Sequence, residues 1–232
     1  MPRISRPLVV LLLMPVAWVR AQGAGVVFDH QPMPVGGGAA DSDFLDMFGN
    51  PSWQILADDV TLTQDATIQR LVWWGFYDRD NPPVSESFRM RIYAPRSTDG
   101  LPGAVLFEEQ FVDPLRVDTG NIVFVGIFPR EFRFSVDLAT PLPLTANTPY
   151  WLEISQIGDR DTHYRWEFSQ NAELNGFAFQ NPLEPNWTNT SFVSDVAFQL
   201  STVPEPSTLM LFILAAAPIG RRFRACRMPQ VS

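Results

Sequence analysis

The sequence predicts an all-β protein, an antiparallel β-sandwich with a jelly-roll-like arrangement of strands. Apolar and polar residues alternate with a period of two in short segments such as Phe88–Tyr93 and Tyr150–Ser155, which is typical of strands with one buried face. Proline (21 residues) and glycine (14 residues) separate these segments as turn signals. The body shows neither helical periodicity nor an internal repeat of about 20–50 residues, so we expect neither a helical fold nor a propeller or solenoid.

Residues 1–21 have the composition of a secretory signal peptide. Arg3 and Arg6 provide a positive start, and an apolar run follows from Pro7 to Trp18. This run is short for a bilayer span, which takes about 20 residues. A small residue, Ala21, stands where a signal peptidase would cut. The sequence therefore predicts an exported protein.

The exported part is expected to consist of an N-terminal arm at 22–50 and a sandwich domain at 51–202. The arm contains three consecutive glycines and scattered acids, which indicate a loose segment or an edge strand followed by a loop. Turns are expected at Thr98–Gly100, Pro102-Gly103, Pro141–Pro143 and Asn147–Pro149. The predicted strands are Gln54–Leu62, Thr67–Tyr77, Phe88–Tyr93, Ala104–Phe111, Ile122–Phe128, Phe132–Asp137, Tyr150–Ser155, His163–Phe168 and Asp195–Leu200.

The charge and the cysteine content of the body exclude several classes of function. Between Gln22 and Pro204 there are 10 arginines and 24 acidic residues, a balance of −14, and the chain has no lysine. An acidic body argues against nucleic acid as a partner, because phosphate binding requires a basic face. The only cysteine is Cys226 in the C-terminal tail, so the body has no disulfide, no thiol nucleophile and no cysteine metal ligand.

Catalytic residue patterns are absent from the sequence, and we expect no enzymatic activity. The two histidines, His30 and His163, lie far apart and have no Gly-x-Ser-x-Gly motif with them. Glu108 and Glu109 are neighbours on one predicted strand, so they point to opposite faces and cannot act on one glycosidic bond. A hydrolase built from distant carboxylates remains the third functional alternative.

Calcium is the one cofactor for which the sequence offers ligands, and no other cofactor is expected. Groups of acids stand in loops or at strand ends, and hard oxygen atoms are the ligands that Ca²⁺ prefers. The alternative is that these acids are solvated or cap turns, since no EF-hand pattern is present. The groups are Asp41, Asp43 and Asp46; Asp58 and Asp59; and Asp78, Asp80 and Asn81.

Tryptophans provide a second candidate binding feature. Trp73 and Trp74 are adjacent on a predicted strand, so one should face the core and the other should point outward. An exposed aromatic ring can stack on a sugar ring. Trp74 and Trp187 are therefore candidate ligand-binding residues of a carbohydrate-binding module, and core packing is the competing interpretation.

The C-terminal segment at 203–232 combines three features. The motif Val203-Pro204-Glu205-Pro206-Ser207-Thr208 precedes a short apolar segment that is expected to be helical, and Arg221, Arg222 and Arg224 follow it. The apolar segment is short for a permanent span, which takes about 20 residues, and the arginines are expected to stay on the cytoplasmic side. This order resembles the PEP-CTERM sorting signal of Gram-negative bacteria. The resemblance implies recognition by exosortase, a membrane protease-transpeptidase, after transient association with the inner membrane.

The body also resembles domains that precede PEP-CTERM tails, and this resemblance implies no activity. The pieces that carry it are Ala57–Val60, Leu71–Gly75, Phe88–Tyr93, Gly100–Gly103 and Pro149–Leu152. Taken together, the sequence predicts an exported, non-enzymatic β-sandwich that its tail sorts to the cell envelope, the cell surface or the extracellular polysaccharide matrix. A carbohydrate-binding module is the alternative.

Overall fold

The computed structural model describes residues 25–34, 38–42, 54–123, 129–157, 163–170, 176–181, 184–189 and 194–202. These residues belong to one compact unit, Ala24–Val203. The predicted signal peptide at 1–21 and sorting tail at 203–232 lie outside the described residues. Within the described ranges, no helix is long and apolar enough to cross a membrane.

Two antiparallel sheets form the domain, which confirms the prediction of an all-β sandwich. The first sheet contains β1 (Val26–His30), β2 (Ala39–Asp41), β4 (Ala66–Tyr77), β7 (Leu115–Ile122), β8 (Arg130–Leu144), β10 (Tyr164–Glu167) and β13 (Phe198–Ser201). The second sheet contains β3 (Ile55–Thr61), β5 (Ser87–Pro95), β6 (Pro102–Val112), β9 (Pro149–Gln156), β11 (Ala178–Asn181) and β12 (Glu184–Asn189). The strand order of the second sheet is β12-β11-β3-β9-β5-β6.

Strand β4 is the centre of the first sheet. It pairs with β8 along one edge, and with β13 and then β10 along the other. Every residue from Leu71 to Tyr77 is buried, including those whose side chains point away from the second sheet. A strand buried on both faces reads as a continuous apolar run, which explains the sequence LVWWGFY at this position.

Aromatic side chains from both sheets fill the core between them. The ring of Trp73 stacks on Phe134 at 5.3 Å and meets the edge of Phe88 at the same distance. Phe88 in turn contacts Tyr164 with ring centroids 5.0 Å apart. Offset-stacked and edge-to-face pairs each stabilise by about 0.5–1.5 kcal/mol beyond the burial of their area. The alternating residues of β4, β5 and β8 therefore hold the two sheets together.

Gly75 leaves room for the backbone and side chain of β10. A Cβ atom at this position would lie 2.5 Å from the carbonyl oxygen of Arg165 and 2.5 Å from the ring of Tyr164. We expect Gly75→Ala to lower the free energy of unfolding by about 1–3 kcal/mol, because β10 must shift away from β4. Urea denaturation measures the change. Gly120→Ala is the comparison, with an expected cost of about 1 kcal/mol, because an added Cβ would meet nothing within 4 Å there and only the φ of +80° opposes a side chain. Equal costs for both variants would contradict the explanation.

Several predicted boundaries are wrong. The predicted turns at Pro102-Gly103 and Pro141–Pro143 lie inside strands β6 and β8. Strand β7 pairs with β8 only as far as Ser135, so the last part of β8 has a described neighbour on one side only. A proline can face such a free edge because it has no N–H to donate.

Strands at the sheet edges extend the domain beyond the predicted limits. Val26–His30 and Ala39–Asp41 from the predicted arm pair with β13 and β10, so the sandwich begins before residue 51. Most of the predicted strand Ile122–Phe128 lies outside the described residues, and β7 (Leu115–Ile122) is a strand that the sequence did not predict. Its residues are almost all exposed, so it lacks the apolar alternation from which a strand is recognised.

Candidate functional site

The candidate aromatic residue Trp74 lies on the outward face of the first sheet, as its alternation with Trp73 predicts. Its side chain is nevertheless buried, with 6% exposure, and packs with Val72 and Ala197. The guanidinium of Arg133 stands over the indole at 5.9 Å. The expectation of an exposed ring at Trp74 is therefore wrong, because neighbouring side chains cover this face of the sheet.

Trp187 lies on the outward face of the second sheet and is also buried, with 7% exposure. Its ring meets the ring of Tyr93 at 5.5 Å and packs in the same cluster as Trp151. Four strand spacings separate β12 from β5, which is about 19 Å in a flat sheet. The sheet end that carries Trp187 must therefore turn back over its own outward face, and the expectation of an exposed ring is wrong here too.

A buried polar network adjoins this aromatic cluster. Glu153, which is fully buried, accepts hydrogen bonds at Oε1 from Arg89 at 2.6 Å and from Ser155 at 2.8 Å. Its Oε2 accepts a hydrogen bond from the hydroxyl of Tyr93. Burial and the nearby charge of Glu153 raise the pKa of the Tyr93 hydroxyl, which therefore stays protonated. The network ties β5 to β9 and has the character of a structural cluster.

A cluster of carboxylates lies where the second sheet meets the end of β1. Asp58 and Asp59 come from β3, and Asp195 comes from the segment just before β13. One carboxylate oxygen of each lies within 4.8 Å of the others. Asp58 has two further contacts, both at its Oδ2. This oxygen accepts a hydrogen bond from the backbone N–H of Val196 at 3.0 Å and lies 3.6 Å from His30 Nδ1.

Burial dominates the electrostatics of this cluster. Asp58 and Asp195 are buried, and Asp59 is half-buried. Burial raises the pKa of Asp58 to about 7, with a smaller contribution from the neighbouring charge of Asp195, while the hydrogen bond with His30 opposes the rise. Sequence analysis singled out Asp58 and Asp59, but no local pattern pointed to Asp195 or His30.

Of the other acids singled out by sequence, those whose side chains are described have arginine or backbone partners. Arg165 binds Asp78 at 2.6 Å, and Arg130 binds Asp80 at 2.9 Å. The side chains of Asp41, Asp43 and Asp46 lie outside the described residues. Glu108 pairs with Arg91, whereas Glu109 accepts from the backbone N–H of Ala139, so these two neighbours do not converge on one site.

The structure also contains a pair of buried acids that the sequence did not predict. Glu131 on β8 and Glu167 on β10 are both buried and share a hydrogen bond. Burial, followed by the charge of Glu131, raises the pKa of Glu167 to about 9. Glu167 therefore keeps its proton at neutral pH. Asn121 donates a further hydrogen bond to Glu131 Oε1 at 3.1 Å.

The comparison with known families covers most of the chain. Residues 28–208 match a family described as a domain of unknown function, DUF7901. The chain belongs to the DUF7901 family. The DUF7901 match begins within β1 and ends at Thr208, so it includes both sheets and the proline-containing motif after β13. No curated protein matches the chain.

Proposed function

We propose that this DUF7901 protein is exported and sorted through its C-terminal segment to the cell envelope or the extracellular polysaccharide matrix, where it acts as a non-enzymatic β-sandwich. The observation that carries the proposal is the sequence from Val203 to Arg224, which has the motif, the apolar segment and the arginines of a PEP-CTERM signal in order. The partner that this signal implies is an exosortase-type membrane protease.

The end of the folded domain supports this proposal. The last strand, β13, ends at Ser201, and Thr202 donates its backbone N–H to Gly25 at 3.1 Å. The motif begins at the next residue, Val203. A protease that cuts within the motif would leave every described strand pair intact. Processing and folding are therefore compatible in this chain.

The burial of acids in three separate groups supports a non-enzymatic role. Asp58, Glu153 and Glu167 are each inaccessible or nearly so to solvent. A glycosidase needs two carboxyl groups that flank a bound sugar, and buried carboxyl groups do not reach one. The alternative of a carbohydrate-binding module loses support as well, because Trp74 and Trp187 do not form an exposed platform.

Processing of the full-length chain tests the proposal. In a host that contains exosortase, we expect the mature protein to end within Val203–Thr208, as measured by mass spectrometry of its C-terminal peptide. The variant Glu205→Ala is expected to retain its tail, because it alters the motif. Asp99→Ala, an exposed change in the body, is the matched control and should be processed like the wild type. Recovery of a mature wild-type chain that extends to Ser232 would overturn the proposal.

A further inference from the structure

The carboxylates of Asp58, Asp59 and Asp195 converge from two distant parts of the chain. Their nearest oxygen atoms lie within 4.8 Å of one another, a spacing that fits ligands around one ion. The His30 imidazole lies beside them, with its Nδ1 3.6 Å from Asp58 Oδ2. Asp58 and Asp59 are adjacent in the sequence, whereas Asp195 is brought beside them only by the fold.

A second observation concerns the hydrogen bonding of Asp58. This residue is fully buried, and its Oδ2 is held by Val196 N–H and faces His30. Its Oδ1 is also buried and has no hydrogen-bond partner among the described residues. Buried carboxylate oxygens are nearly always paired with a donor, an ordered water or an ion. The free oxygen of Asp58 is therefore open to a partner beyond the described residues, such as an ion.

We propose that Asp58, Asp59 and Asp195 bind a calcium ion. Carboxylates are hard oxygen ligands, and their number and charge suit Ca²⁺, which takes oxygen atoms at about 2.3–2.6 Å and completes its coordination with backbone carbonyls and water. Asp59 is half-buried, so it opens one side of the cluster toward solvent and provides a path for the ion. His30 acts as a positioning residue, because its imidazole faces Asp58 Oδ2, the oxygen that also accepts from Val196.

The ion would add a link between three segments that strand pairing, core packing and the hydrogen bond from Val196 to Asp58 already hold. Asp58 lies on β3 in the second sheet, whereas Asp195 lies shortly before β13 of the first sheet, and His30 ends β1. A bound cation thus crosslinks the two sheets beside the last strand of the domain. Calcium sites in extracellular modules have dissociation constants of about 10⁻⁴–10⁻³ M, and we expect an affinity in this range. The inference does not depend on the proposed sorting of the chain.

The test measures the melting temperature of the full-length chain with EGTA and with calcium. At about 10 mM CaCl₂ we expect the Tm of the wild type to rise by roughly 3–11 °C, as binding to the folded state alone requires across this range of affinity. NaCl at the same ionic strength should not reproduce the rise. Asp195→Asn and Asp59→Asn should each reduce the calcium-dependent shift by more than half, while Asp99→Asn, an exposed acid in a turn, should retain it.

Two variants keep the test decisive if one of them does not fold. Asp195→Asn removes a buried carboxylate, whereas Asp59→Asn changes a half-buried one and should disturb the fold less. Terbium luminescence gives an independent measurement, because Trp151 pairs with Asp59 across β3 and β9 and can transfer excitation energy to Tb³⁺ at the site. A wild type without a calcium-dependent shift, or folded variants with the wild-type shift and terbium signal, would overturn the proposal.

Discussion

Replacing Glu153 by alanine is expected to lower the free energy of unfolding by about 3–5 kcal/mol, because the change removes a fully buried carboxylate that pairs with the half-buried Arg89. Arg89 donates to Glu153 from both Nε and Nη2, at 3.1 and 2.6 Å. Tyr93 and Ser155 lose their acceptor at the same time. The variant therefore loses a largely buried ion pair and leaves two hydroxyl groups that must find new partners in a buried site.

A neighbouring ion pair on the same face provides the control for this measurement. Glu108 accepts from Arg91 at 2.5 Å, and the Glu108 side chain is 41% exposed. Because solvent screens an exposed pair, Glu108→Ala should cost less than about 1 kcal/mol. Urea denaturation followed by circular dichroism measures both variants. Similar losses for Glu153→Ala and Glu108→Ala would show that burial of the network has no special effect.

The second large expected effect is a loss of stability as the pH rises. Glu167 has an ordinary pKa of 4.5 when unfolded and a pKa of about 9 in the folded protein, because burial and the charge of Glu131 favour the neutral form. Its contribution to stability is fully present below pH 4.5 and is lost as the pH rises toward about 9. Between these two pH values, ionisation of Glu167 lowers the free energy of unfolding by up to about 1.4 kcal/mol for each unit by which the pH rises.

Glu167→Gln isolates this contribution. The glutamine amide resembles the protonated acid in shape and can donate to Glu131, but it does not titrate. We expect the free energy of unfolding of the variant to depend less steeply on pH than that of the wild type between about pH 5 and 9. The two curves should therefore diverge toward high pH, with the variant more stable. Parallel curves from urea titrations across this range would refute the assignment of a raised pKa to Glu167.

The alternation of apolar residues predicted most of the sandwich because one face of each strand packs against the core. Phe88, Met90 and Ile92 are fully buried while Arg89 and Arg91 point away, as the period of two requires. The same rule does not predict strand β7, because β7 lies at an edge and buries almost nothing. The turn predicted at Pro141–Pro143 is wrong because this part of β8 has no described partner strand on one side, where a proline needs no N–H donor.

The candidate site was less predictable because its parts meet only through the fold. Alternation placed Trp74 outward correctly, but it could not show that Val72, Ala197 and Arg133 surround the ring. Likewise, Asp195 joins Asp58 only because β13 and β3 belong to sheets that face each other. Local sequence patterns do not carry this information. The sequence also does not predict that Glu167 is buried. An acidic residue between apolar residues of a strand has the same sequence pattern whether its carboxyl group faces water or another carboxyl group.

The pairing of β1 with β13 has a consequence for the order of folding. Gly25 and Thr202, which are hydrogen-bonded to each other, are 177 residues apart in the chain. The first strand to be synthesised must therefore wait for the last one, and pairing over such a separation folds slowly. Until Phe198–Ser201 is available, β1 has no described partner strand and one edge of β4 is open to wrong pairing. The first sheet cannot close before the whole domain has been made, and a cut upstream of Phe198 would open it again.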